Sequence, residues 1–393
     1  MGIFINVYVS DSVTKEEWAS VYEESLRLVD KFPLAEIMKK TIEGVDVYCV
    51  VPTKERIIDR RSSPEGNDEY GWYASEDYNN LRGAETQVLY RDLTDNGQNT
   101  IDEFHDPILN VADEQLSLSS KIKDYFVYRL FGNKTQGESY HVYILGIACL
   151  IADRLGDKAF VCGDITRGQC RMAIKEVNNI LKNHIGLPIQ CNPERFIGRI
   201  SKLPLTDTDK LKVYEHFFLG NKDDEFGKCL RQYFNEKICT NYWKGYFKKF
   251  KMGQIGFRKL FNDYISWGFD LEKLCYIVNF NEKKDSDYKE FINYVLDAKL
   301  HIKDKNCEHI FEIDNEAEET YGISTLMSQF FLVPRGNRSI DRYIPIEEIR
   351  MALKKGIEKN FDVDSYIDKY LKKEKKIQEK KEKNTANKSD IKD

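Results

Sequence analysis

The residues best placed to do chemistry lie at a strand-to-helix corner. Lys158 to Cys162 (KAFVC) is a short apolar strand that runs into Gly163 and Asp164 before Thr166 opens a helix. The first amides of a helix are unpaired donors at the positive end of its dipole, so Thr166 and Arg167 could together hold an anion, with Asp164 beside them as a base. Ligands favour this corner of an α/β unit, outside the carboxyl end of a strand. The same residues also have a structural use: Thr166 and Gln169 form a T-x-x-Q capping box, and Asp164 can hold the turn.

A second group is upstream. Gly132-Asn-Lys-Thr-Gln-Gly137-Glu138-Ser139 has P-loop spacing, but Glu138 replaces the lysine that should reach the phosphates. A carboxylate there repels phosphate. Unless Lys134 substitutes from inside the loop, the stretch reads as a turn that opens a helix over 138–155. Glu138 and His141 share one helical face and make half of a di-metal carboxylate site. Asp102 and His105 offer a further pair, but from a loop-like stretch, so no metal and no cofactor is assigned. Asp164, Glu138 and His141 remain the candidate catalytic groups, with a buried, hydrogen-bonded imidazole as the ordinary alternative for His141.

Aromatic residues supply the third group. Trp72 and Tyr73 sit in a polar, glycine-punctuated segment (59–83) that reads as a long functional loop or surface hairpin, and they are candidate ligand-binding residues together with Thr166 and Arg167. Trp243, Tyr246, Phe247 and Phe250 alternate with Lys244, Lys248, Lys249 and Lys251, as a nucleic-acid stacking surface would. Their spacing of i, i+3, i+4 and i+7 instead makes one buried helical stripe with a solvated lysine face. Arg335, Arg338 and Arg342, with Asp341, form a second basic spot. There is no G-x-S-x-G, H-E-x-x-H, Rossmann glycine fingerprint or EF-hand. Nine cysteines without a C-x-x-C pair read as reduced, mostly buried thiols, and nothing local favours Cys162 or Cys170 as a nucleophile paired with His141 or His184.

The elements that must position these groups follow from patterning. Ile3 to Val9 alternates as a strand, and Thr14 and Glu17 cap the helix that follows. Val45 to Val51 is a second strand, and helical patterns run near 115–130 and 138–155. After about 166 the strand signals nearly vanish, and helices succeed one another to 377. The chain has 393 residues, 41% hydrophobic and 32% charged, with 22 Phe and 23 Tyr to fill a core, which excludes a collagen, a disulfide mini-protein and a wholly disordered chain. Asp368 to Asp393 carries ten Lys against six acids, so the net charge of −5 conceals an acidic body and a basic tail. An acidic body disfavours nucleic acid as a partner. The expected fold is α+β: an N-terminal α/β unit over 1–165, a mainly α-helical domain over 166–377, and a disordered Lys-rich tail over 378–393.

No secretory signal is expected at the N-terminus, and the longest apolar run, Val142 to Ala152, is 11 residues against the roughly 18 that cross a bilayer. A cytoplasmic location and no membrane partner are expected. The stretches GNKTQGESYHVY and KAFVCGDITRGQC, with the opening INVYVSDSVTKEEW, resemble an uncharacterised family of hypothetical proteins from low-GC Gram-positive bacteria, over most of the chain up to the Lys-rich tail. The resemblance implies a bacterial cytoplasmic origin and carries no activity, cofactor or catalytic residue.

Two functions compete. The first is a cytoplasmic interaction protein with a protein partner, of the toxin-immunity or defence type, working through the aromatic loop 70–90 and the Gly163–Arg167 corner. The alternative is an enzyme acting on a small anionic, nucleotide-like substrate, with Thr166 and Arg167 on the phosphate and Asp164 or Glu138 as base. An enzyme needs Glu138, His141, Asp164 and Arg167 to converge in one concave pocket; a binding protein leaves them scattered or buried as caps.

Overall fold

The protein is described by a computed structural model over residues 3–32, 34–42, 45–52, 61–62, 68–69, 71–74, 85, 87–96, 106–116, 118, 127–137, 140–278, 285–303, 340, 342–357 and 360–389. It is mixed α+β and mostly helical. Its N-terminal part is organised by β1 (Phe4–Ser10), followed by α1 (Lys15–Val29) under the expected Thr14/Glu17 capping box. Two antiparallel pairs follow: β2 (Ala35–Ile42) with β3 (Val45–Pro52), and the short β4 (Arg61–Ser62) with β5 (Asp68–Glu69). A third pair joins β6 (Gly71–Ala74) to β7 (Gln87–Tyr90). Then come α2 (Pro107–Gln115), β8 (Val127–Lys134), α3 (His141–Leu155), β9 (Ala159–Gly163) and α4 (Arg167–Asn178). Of the helix expected near 115–130, residues 117 and 119–126 lie outside the described residues, α2 ends at Gln115, and 127–130 are strand. Val127, Tyr128 and Leu130 are β-formers that bury themselves against β1, and tertiary pairing overrides the weaker helical pattern.

β1 is the middle strand of a β8-β1-β9 sheet and is antiparallel to both neighbours. Its alternation decides what covers each face. Ile5, Val7 and Val9 join the core formed with α1, α3 and α4. Asn6 and Tyr8 face the other way: the Tyr8 hydroxyl donates to Glu114 of α2 at 2.8 Å, and Arg129 donates to Asn6 at 2.8 and 3.0 Å. α3 is apolar almost all round and buried along its length, as a central helix must be. Among the described residues no helix is long and apolar enough to cross a membrane.

The expected domain boundary at 165/166 moves. The compact units divide between Asn221 and Lys222. α4 buries Cys170, Ala173, Ile174 and Val177 in the same core as β1. α5 (Pro193–Ser201) and α6 (Asp207–Phe217) cover the second face of the sheet, where Phe160 of β9 stacks on Phe196 at 6.3 Å and meets Phe217 edge-on at 5.6 Å. A sheet buried on both faces needs these helices, so a unit ending at 165 would leave Phe160 exposed.

The C-terminal unit contains α7 (Asp224–Tyr233), α8 (Glu236–Phe247), α9 (Ile255–Ser266), α10 (Leu271–Val278), α11 (Asp285–Asp297), α12 (Ile346–Gly356) and α13 (Val363–Ser389). The aromatic stripe of α8 faces inward at Trp243 and Phe247, Tyr246 is half-buried, and Lys244, Lys248 and Lys249 are exposed. Phe250 falls beyond the helix end and is 38% exposed. α13 buries Ile367 but continues as helical backbone to Ser389. The tail expected to be disordered over 378–393 is thus helical in its backbone as far as Ser389, and 390–393 lie outside the described residues. Lys, Glu and Gln are good helix formers, which is the physical reason a stretch so poor in apolar residues is helical.

Phe247 packs on Phe257 at 5.3 Å and Trp243 at 6.1 Å, whereas the Lys248 side chain is solvated. Phe247→Ala should lower stability by roughly 3–5 kcal/mol and Lys248→Ala by under about 0.5, read from urea unfolding followed by tryptophan fluorescence.

Candidate functional site

Because β8 and β9 both run antiparallel to β1, they are parallel to each other, and their carboxyl ends lie at one end of the sheet. α3 and α4 both start there. Of the sequence-selected residues, His141, Asp164, Thr166 and Arg167 lie around this corner, and the fold already engages the first three. Gly163 has φ +123° and no room for a side chain, since a Cβ would stand 2.4 Å from the Phe4 carbonyl oxygen. This close approach lets Asp164 extend the β1–β9 ladder: its amide donates to Phe4 O at 2.9 Å, and its carboxylate accepts from Phe4 N at 3.0 Å. Thr166 and Gln169 make the full reciprocal capping box at 3.1 and 3.0 Å. Arg167 is the first residue of α4 and half-buried.

His141 opens α3 and is 1% exposed. Its Nδ1 is 2.6 Å from Thr135 Oγ1, which in turn reaches Ile3 O at 3.2 Å, while Nε2 has no hydrogen-bond partner. Burial pushes the imidazole down to about 4, so it is neutral at pH 7. Lys134 does not reach into the loop. Its ammonium pairs with Glu85 at 3.3 Å, and its amide donates to the same carboxylate at 2.8 Å, a bond that holds Glu85 below its usual range. Glu138 lies outside the described residues. Burial raises the Cys162 thiol, and contact with the Cys149 thiol raises Cys170, so neither is a thiolate nucleophile. Among the described residues no group of three or more His, Cys, Asp and Glu could hold a metal ion.

The aromatic loop is corrected at Trp72. β6 pairs with β7, and period-two alternation turns Trp72 and Ala74 into the core. Trp72 is 0% exposed and its indole donates to Ser25 Oγ at 3.1 Å, so it cannot be a recognition surface. The Tyr73 side chain lies outside the described residues.

Sequence reasoning missed a pocket in the C-terminal unit. Between α7, α8 and the α9–α10 turn is a cavity of about 260 Å³. Trp243, Tyr264, Phe269 and Phe234 form its walls, and Arg231, Glu236, Asp270 and Lys273 its rim. The turn carrying Phe269 is held by cations on its carbonyl oxygens: Arg231 Nη1 donates to Trp267 O at 2.6 Å, and Arg342 Nη1 donates to Phe269 O at 2.6 Å. The Tyr264 hydroxyl donates to Asp270 O at 2.9 Å, and burial raises it above its usual range. Gly268 (φ +73°) lets the turn close onto α7, where a Cβ would meet Asp224 Oδ1 at 1.6 Å. The only sequence signal was Trp267-Gly-Phe-Asp270 between two helical patterns. The charges around it are dispersed from 231 to 342.

The His141 imidazole titrates at about 4 when folded and about 6.5 when unfolded, so on acidification the unfolded chain binds the proton first. Its contribution is complete above about pH 6.5 and is lost as pH falls toward 4, an effect of about 3 kcal/mol. Denaturant titrations at pH 7 and pH 4.5 should show that His141→Leu removes this part of the acid sensitivity. Thr166→Ala should lower stability by about 1 kcal/mol at both pH values through the lost cap.

No family model, curated protein or solved structure matches the chain.

Proposed function

We propose that the protein acts by binding a protein partner and not by catalysis. The observation that supports this most is the engagement of His141, Asp164 and Thr166 in holding the corner together, which leaves them without the convergence on open space that acid–base or anion chemistry requires. The distribution of exposed apolar residues supports the same reading and locates it. Among the residues whose side chains are described, the large exposed apolar ones, such as Tyr233, Ile255, Tyr276, Tyr343 and Met351, fall in the C-terminal unit. The setting is the cytoplasm, in an accessory role such as toxin neutralisation or defence. Among the described residues seven cysteines are buried free thiols, in keeping with a reducing compartment.

The rival reading, an enzyme on a nucleotide-like anion, is favoured by the two helix amino ends at the carboxyl ends of β8 and β9 and by the unpartnered Nε2 of His141. Thermal unfolding with ATP, GTP or phosphate, with and without Mg²⁺ or Mn²⁺, separates the two. A binding protein of the proposed kind should melt within about a degree of its unliganded value. A site ligand at 100 times its Kd would add about 2.7 kcal/mol. A rise of that size that disappears in Arg167→Ala, with that variant otherwise melting like the parent, would replace the binding reading with the enzymatic one.

A further inference from the structure

Resting on that binding reading, we propose that the α7–α8–α10 pocket is the anchor site for one neutral aromatic side chain of the partner polypeptide. Size sets the first limit. At about 260 Å³ the cavity lies below the ~300–1,000 Å³ of pockets that enclose a drug-sized ligand, so its occupant is one ring and not a cofactor.

The walls set the second. Trp243 already contacts Tyr264 at 5.1 Å, Trp267 at 4.8 Å and Phe269 at 5.6 Å, all at steep angles. A guest ring entering beside Phe269 and Trp243 extends this tilted and edge-to-face packing, which favours aromatic over aliphatic apolar groups.

Charge sets the third. Arg231, Lys273 and Arg342 are balanced around the pocket by Asp224, Glu236 and Asp270, so no net field draws in an ion. These groups are also already paired. Arg231 bonds Asp224 at 3.1 Å, Lys273 bonds Glu236 at 2.8 Å, Arg342 holds two backbone carbonyls, and Asp270 accepts the amides of Glu272 and Lys273 at 2.7 and 3.2 Å. A charged guest must open one of these pairs and desolvate itself; a neutral ring need do neither.

The surroundings argue for a polypeptide and not a free amino acid. Tyr276, 56% exposed, is three residues from Lys273 on the same face of α10, and Tyr233, 50% exposed, immediately precedes the wall residue Phe234. Chain flanking an anchored ring would cover such amphipathic surface, as at interfaces where one buried aromatic is ringed by partly polar contacts.

The test uses the full-length protein, with the indole N–H resonances of Trp243 and Trp267 followed by NMR. The probes keep one ring and vary its charge: N-acetyltryptophanamide, tryptamine, indole-3-acetate and free L-tryptophan, with N-acetylleucinamide as the aliphatic control and Ac-Gly-Trp-Gly-NH2 as the peptide. The neutral tryptophan amide and the peptide should shift Trp243 saturably, about tenfold tighter than the charged indoles, free tryptophan or the leucine amide. Thr240→Phe, which fills the cavity, should abolish the shift. Lys273→Glu, at an exposed position, should keep the fold and move the preference toward tryptamine by about threefold or more, so a Thr240→Phe protein that does not fold leaves the test standing. A Trp243 resonance silent to the neutral amide, equal shifts from all the probes, or tighter binding of free tryptophan than of the peptide would overturn the anchor assignment. These outcomes leave the binding reading itself intact, because that reading fails separately, on nucleotide-dependent stabilisation lost in Arg167→Ala.

Discussion

β1 lies between two strands that run against it, and much of the N-terminal unit follows from that placement. Two strands antiparallel to a common neighbour are parallel to each other, and parallel strands cannot be joined by a tight turn. The chain must cross the sheet through α3, and α3, packed over β1, has to be apolar on nearly every side. The second face of the sheet, with Tyr8 of β1 under α2 and Phe160 of β9 under α5 and α6, must be covered as well. Helices as far along as α6 are recruited to do it, which is why the unit extends to 221.

The corner where α3 and α4 begin is a direct product of this topology. Helix amino ends, a threonine, an aspartate and an imidazole assemble at the carboxyl ends of two parallel strands. Asp164 bonds the backbone of Phe4, Thr166 bonds Gln169 of its own helix, and His141 Nδ1 bonds Thr135 in the turn before α3. His141 is the exception at one atom, because its Nε2 is buried without a partner, and that strain on its protonated form appears as acid sensitivity.

The C-terminal unit is arranged differently. Its helices pack through rings, and the turn between α9 and α10 is fixed by guanidinium groups on its carbonyl oxygens. A turn pinned this way presents Phe269 and Trp267 rigidly, so the pocket beside them is preformed and its walls need no ordering when something enters. Arg342 arrives from far along the chain to make one of these bonds, and it is the one described arginine of the basic spot expected near 335–342. Its role is structural.

Local patterns alone determined the elements whose residues interact within a few positions: the Thr14/Glu17 and Thr166/Gln169 caps, the α8 stripe with its solvated lysines, and the mixed, mostly helical class. Capping boxes and helical stripes are short-range physics, complete within one turn or two, and so are legible in order along the chain. What required the tertiary structure was every feature built by pairing across distance. The strand at Val127–Lys134 exists because β1 is there to bond it, Trp72 is buried because β6 pairs with β7, and the pocket brings together residues from 231 to 277. Periodicity reports which side of an element is apolar but not what covers it. Covering is a property of the whole chain, and it decided here that Asp164, Thr166 and His141 are hydrogen-bonded within their corner and that an unremarked turn walls a cavity.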